Sequence, residues 1–234
     1  MMQTASRDIP AVRLAAVARI APFAAYILFL ALHEPLERWF GHLGLDVRWL
    51  YVLRIGVVLA LLLLFVRNYV ELRWTVTRFD LRSWLASIAV GIAVFAIWIA
   101  PWPAWAQTAA GPGFNPLQAN GSIDPLLALS RLVGAALIVP VMEELFWRSF
   151  LLRWIRQQDF LRMDPAQVGW TAFVIVVVLF GLEHSLWLAG MIAGAAYNAL
   201  YMSRRNLWAP IVAHAVTNGL LGFWVLATGN WQYW

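Results

Sequence analysis

Cysteine is absent from this 234-residue chain, and so is lysine: all 17 basic residues are arginine. The first absence excludes disulfides, thiolate metal sites and a cysteine nucleophile. Charge of any kind is scarce, at 12% of residues against 62% hydrophobic, with a mean hydropathy of +0.70. Soluble domains carry about 25% charged and about 45–50% apolar residues. The composition therefore predicts an all-α, polytopic integral membrane protein, a helical bundle of about seven to eight transmembrane helices. A net charge of +5 does not point to nucleic acid, because the arginines fall between apolar runs rather than along one amphipathic stripe. They read as topological anchors, and the bilayer is the expected partner. There is no internal repeat and no low-complexity tract. The opening MMQTASRDIPAVR shows no secretory cleavage pattern, so the first helix is expected to be retained.

A spanning helix needs about 20 mostly apolar residues. Candidate spans are Leu14–Leu32, Trp49–Val66, Trp84–Trp102, Leu126 to about Trp154, Gln167–His184, Leu186–Ser203 and Leu207–Ala227. The fourth is too long for one straight crossing and is expected to kink at Pro140 or divide in two. We take 1–234 as a single membrane domain: three spans in 1–106, a loop outside the cytoplasm at 107–124, and a core of the remaining spans at 125–227. Many of the 15 tryptophans fall near span ends, among them Trp39, Trp49, Trp74, Trp84, Trp102, Trp105, Trp170, Trp208 and Trp234, as an interfacial belt requires.

Arginine distribution gives an orientation. Arg67, Arg73, Arg78 and Arg82 lie in the second link, Arg153, Arg156 and Arg162 follow the fourth span, and Arg204 and Arg205 follow the sixth. The link QTAAGPGFNPLQANGSID and the terminal GNWQYW have no basic residue. With Arg7, Arg13 and Arg19 at the start, the positive-inside rule places the N-terminus in the cytoplasm of an inner-membrane protein. Arg38 and Arg48 dissent, diluted by Glu34, Glu37 and Asp46. Gly190 and Gly194, and Ser130 with Gly134, mark close helix approaches and are assigned no chemistry.

Against this background PVMEELFWRSF at 140–150 is expensive. The last four spans also hold Arg131, Glu183, His184, Asn198, His214 and Asn218, and an ionisable residue inside a membrane is a functional hypothesis by default. Glu144 and Arg148, at i,i+4, share a face and can pair. Glu143 is turned about 100° away. Phe180 with His184, and His214 with Asn218, are also i,i+4 pairs. Three helices can thus aim a carboxylate and two imidazoles, with an amide, at one buried point. Such a set suits hydrolysis: the carboxylate as general base, one imidazole sharing the water's proton, the other and the amide donating to an oxyanion. Each piece also has a bland reading. Adjacent acids at a helix end are often solvated, Glu144 with Arg148 can be a purely structural pair, Asn218 can be interhelical glue, and Glu183 and His184 can sit among headgroups.

These residues fall in the order EExxxR (Glu143, Glu144, Arg148), FxxxH (Phe180, His184) and HxxxN (His214, Asn218). In that order they resemble the CAAX prenyl endopeptidase and bacteriocin-processing family of intramembrane proteases, over roughly Leu126 to Leu226. The chain also resembles, more weakly, a bacterial subgroup linked to exosortase-type sorting. The resemblance implies an intramembrane endopeptidase. Glu143 and His184 would activate water, His214 and Asn218 would hold the oxyanion, and Glu144, Arg148 and Phe180 would support them. Metal-dependent and glutamate-type mechanisms compete. Zinc is possible on Glu143, His184 and His214, but a site without a cofactor is favoured because Asn218 is a poor zinc ligand. A membrane-anchored peptide or protein is the expected substrate, and a prenyl group is not carried over. A non-catalytic immunity or scaffold protein of the same fold, and a metal or proton transporter, are the alternatives. One tension stands: along the spans Glu143 falls near mid-membrane, whereas His184 falls nearer the far side.

Overall fold

Within hydrocarbon every backbone N–H and C=O must be bonded inside its own segment, so apolar runs fold as helices. The computed structural model describes residues 9–73, 79–108, 111 and 113–234. Arg7, Trp74 and Arg78, used above for topology and the aromatic belt, lie outside the described residues. The helices are α1 (Ile9–Ala31), α2 (His33–His42), α3 (Trp49–Leu64), α4 (Leu81–Trp98), α5 (Pro125–Trp154), α6 (Gly169–Leu182), α7 (Trp187–Arg204) and α8 (Trp208–Thr228). Among the described residues there is no strand, only an isolated bridge between Leu117 and Ile123. Helices α1, α4, α5 and α8 are long and apolar enough to cross a membrane, while α3 and α6 are apolar but shorter, at 16 and 14 residues. The chain is an integral membrane protein of helices. α2, which the spans did not include, carries Glu34, Glu37 and Arg38 in ten residues and is too short to cross.

Local chemistry sets several ends. Asp124 caps α5 by accepting from the amides of Leu126 and Leu127 at 3.0 and 3.1 Å, and Pro125 follows where no N–H is needed. Asp80 caps α4 through the Ser83 amide at 2.9 Å. α5 runs unbroken past Pro140, but with widened π turns at Gly134–Ile138 and Leu145–Leu151. Inside the first, the Val139 amide bonds the Gly134 carbonyl. In that register the next donor would be Pro140, which has no N–H, and its acceptor would be Ala135. The orphaned Ala135 carbonyl accepts instead from Asn218 Nδ2 of α8, at 2.9 Å.

Hydrogen bonds between links define two ends of the bundle. At one, Arg48 donates to the Leu117 carbonyl at 2.7 Å, the Thr108 amide to Ser185 at 2.8 Å, and the Phe114 amide to Trp234 at 3.0 Å. Arg48 is also paired with Asp46 at 2.6 Å, so this dissenting arginine is consumed in tying two links together. At the other end, which carries most of the arginines, Glu71 accepts from Arg19 at 2.5 Å, from Arg153 at 2.6 Å and from Ser149 at 2.5 Å. Arg19 is fully buried in this network and is not a headgroup anchor. Burial by itself would raise Glu71, but the two guanidiniums and the hydroxyl outweigh it and hold its carboxyl below the ordinary value.

α4 packs along α8 and α6 along α7. Gly91 makes the first approach possible: a Cβ there would stand 2.5 Å from the Ala213 carbonyl oxygen. On α7, a Cβ at Gly190 would meet the Gly181 Cα at 3.1 Å and one at Gly194 the Phe180 ring at 3.1 Å. The small-residue interval is therefore a packing face, and it seats α6 close enough to present its far end to the core.

Candidate active site

α6 ends after 14 residues, about 21 Å of rise against about 30 Å of hydrocarbon. His184 lies two residues beyond its end. Glu143 is about 16 Å from Trp154 along α5. The two line one cavity, which answers the tension in the sequence.

Glu143 and Glu144 have separate environments. Glu144, fully buried, accepts at Oε1 from Arg148 Nη1 and from His214 Nδ1, each at 3.0 Å. Arg148 also donates to Asn198 Oδ1 at 3.1 Å and to the Gly194 carbonyl at 3.4 Å. Its guanidinium lies 4.4 Å from the Phe180 ring centroid and 5.4 Å from that of Tyr197. The pair expected from i,i+4 spacing is thus the hub of four helices, α5 to α8.

A carboxylate paired with arginine can only accept, so the Glu144 contact fixes a proton on His214 Nδ1 and leaves Nε2 for other partners. Tyr197 stacks on the His214 ring at 5.1 Å and 23°. The Tyr197 hydroxyl donates to Thr217 Oγ1 at 2.8 Å, and Thr217 donates to the Gly91 carbonyl of α4 at 2.9 Å. His184 Nδ1 lies 2.7 Å from the Phe180 carbonyl. A carbonyl only accepts, so this nitrogen also carries the proton and Nε2 has the free lone pair. Phe180 lies beside both imidazoles, at ring-centroid distances of 4.8 and 6.2 Å, while Trp98 and His184 meet nearly perpendicular with centroids 5.3 Å apart.

Glu143 is different in kind. It is 5% exposed, and its Oε2 is shut off from solvent with no hydrogen-bond partner among the described residues. Its electrostatic neighbours are Glu183, Glu144 and Arg148. Glu183, half-buried, also has one oxygen, Oε2, shut off from solvent, as does Glu144. Glu143, His184, His214 and Asn218 bound one cavity of about 180 Å³, together with Tyr197 and Thr217. It has room for several waters. Arg131, Trp98 and Trp234 also border it, which places its mouth toward the end of the bundle poor in arginine.

Every residue singled out from the motifs lies at this cavity or directly supports a side chain that does. Asn218 keeps one amide hydrogen and Oδ1 beyond its bond to Ala135. Tyr197, Thr217 and Trp98 were missed. Tyr197 and Thr217 directly precede Asn198 and Asn218, but nothing in the spacing says that they clamp an imidazole. As for zinc, among the described residues no three His, Asp or Glu side chains come together to hold a metal ion. His214 Nδ1 is engaged by Glu144 and His184 Nδ1 by a backbone carbonyl, which leaves Nε2 of each imidazole as its remaining ring nitrogen toward the cavity.

Residues 125–220 match the family model described as type II CAAX prenyl endopeptidase Rce1-like. The match spans α5 to most of α8, contains all the motif residues, and agrees with the family resemblance those motifs carry. No curated protein and no solved structure matches the chain.

Proposed function

Taking the segment 125–220 as similar to a CAAX-type endopeptidase, we propose that this protein is an intramembrane endopeptidase that hydrolyses a peptide bond in a membrane-anchored peptide or protein. The observation that carries the reading is Glu143, a carboxyl buried at a cavity with room for several waters and with no hydrogen-bond partner among the described residues. An unpaired buried polar group is costly, and a reacting water satisfies it.

Water in the cavity gives a proton to Glu143, with His184 Nε2 as second acceptor, and its oxygen attacks the scissile carbonyl carbon. The developing oxyanion accepts from Asn218 Nδ2 and from His214 Nε2–H. The imidazolium that this requires is stabilised by Glu144. When the C–N bond breaks, the proton held at Glu143 passes to the leaving nitrogen. Arg148 and Phe180 position the groups and do not touch the substrate. We assign the N-terminus to the cytoplasm, so the cavity opens toward the opposite side.

The test is cleavage of N-acylated, internally quenched peptides by the protein in nanodiscs. Glu143→Gln should lower the rate at least about 10²–10⁴-fold with the thermal transition unchanged. Equal rates for the two proteins would remove the protease reading. Activity that survives a chelator supports the glutamate mechanism, whereas loss restored by Zn²⁺ assigns the site to a metal.

A further inference from the structure

Outside the catalytic cavity lies a second, larger one of about 540 Å³, and the two share Tyr26, Arg131 and Trp234 as walls. Two cations sit at this junction: Arg54 of α3 and Arg131 of α5. Both stack on Tyr51, at 5.1 and 4.4 Å from its ring centroid, and Arg54 also lies 4.6 Å from the Tyr26 ring. The Nε of each is buried without a hydrogen-bond partner, and among the described residues no carboxylate pairs with either. The acids nearby are engaged, Glu37 by His33 at 3.2 Å and Asp46 by Arg48 at 2.6 Å.

Two guanidiniums held side by side on aromatic faces, half-buried and with no carboxylate partner among the described residues, are costly unless something brings the negative charge. Elsewhere this fold supplies one: Arg19 and Arg153 share Glu71, and Arg148 has Glu144. We propose that Arg54 and Arg131 form an anion subsite that binds a carboxylate of the peptide substrate while the neighbouring segment enters the catalytic cavity. The inference rests on the protease reading and adds to it a charge requirement. A planar fork of N–H donors suits a carboxylate. Arg131 borders both cavities, so a peptide anchored there is continuous with the space beside Glu143. The carboxylate comes from the chain terminus or from an acidic side chain.

The experiment uses three N-palmitoylated, dansyl-labelled octapeptides of alanine and valine: one with a free C-terminus, its C-terminal amide, and the amide with one internal glutamate. Binding is read by anisotropy with the full-length Glu143→Gln protein in phosphatidylcholine nanodiscs. Cleavage of the same peptides by the unsubstituted protein is measured in parallel. The free acid should bind about tenfold or more tightly than the amide. That difference should vanish in Arg131→Gln and Arg54→Gln and return in part in Arg131→Lys, while unchanged binding of the amide shows that each variant folds. Tight binding of the internal-glutamate amide identifies a side chain as the source; weak binding identifies the terminus. Equal binding of all three peptides, or of none, overturns the subsite, whether or not cleavage occurs. An arginine-dependent preference for phosphatidylglycerol discs without a peptide difference overturns it in favour of a lipid headgroup. Absence of cleavage despite carboxylate-dependent binding removes the protease reading and leaves the subsite.

Discussion

Glu144→Gln removes one charge and almost no volume, from a side chain that is 0% exposed beside an arginine that is also 0% exposed. The Arg148 guanidinium would remain buried, and breaking a buried pair by removing one partner costs about 3–5 kcal/mol. Arg148 keeps the Asn198 and Gly194 acceptors and two ring faces, which places the cost at the low end, about 3 kcal/mol. At about 2–4 °C per kcal/mol for a chain of this length, the thermal transition should fall by about 6–12 °C. The second consequence is catalytic. On the proposed mechanism His214 loses the carboxylate that holds it as an oxyanion donor, and the turnover rate should drop by about 10²–10⁴-fold even well below the new transition. Fluorescence-detected unfolding in nanodiscs and peptide cleavage measure the two separately. The double variant Glu144→Leu with Arg148→Met divides them: it should recover most of the stability, because an apolar pair avoids both desolvation penalties, and none of the activity. A single variant as stable and as active as the original would refute the reasoning. So would a double variant that regains activity, since His214 would then need no carboxylate.

At the other end of the bundle, the lowered Glu71 carboxyl links stability to pH. This contribution is fully present above its ordinary value of 4.5 and is lost as pH falls through the lowered one. Unfolding followed from pH 7 downward should show that loss, and Glu71→Gln should lower the transition at neutral pH and flatten the acid branch. An unchanged acid branch would show that Arg19 and Arg153 do not depend on it. Asn218→Ala frees the Ala135 carbonyl and removes the proposed oxyanion donor. It should cost about 1–3 kcal/mol of stability and about 10²–10³ in turnover, with KM little changed. Lost stability with unchanged turnover would reduce Asn218 to interhelical glue.

The family reading and the positions of the charged motifs were legible because they are local in the chain. Glu144 with Arg148, Phe180 with His184 and His214 with Asn218 are i,i+4 pairs, and helical geometry alone puts each pair on one face. Composition likewise determined the class, since 62% hydrophobic residues leave no soluble alternative of ordinary kind.

Relations between helices needed the folded chain. No spacing rule joins Glu144 to His214 across 70 positions, or Glu71 to Arg153 across 82. The position of His184 depended on where α6 ends and on Gly190 and Gly194 letting α7 close upon it. Asn218 acquired a second role only because Pro140 leaves a carbonyl free within a π turn of another helix. In hydrocarbon each span satisfies its own backbone, so the sequence determines the helices nearly one at a time. Which buried side chain answers which is a property of their packing, and only the tertiary structure decided that Glu144 is paired with Arg148 and His214 while Glu143 borders the cavity without a hydrogen-bond partner among the described residues.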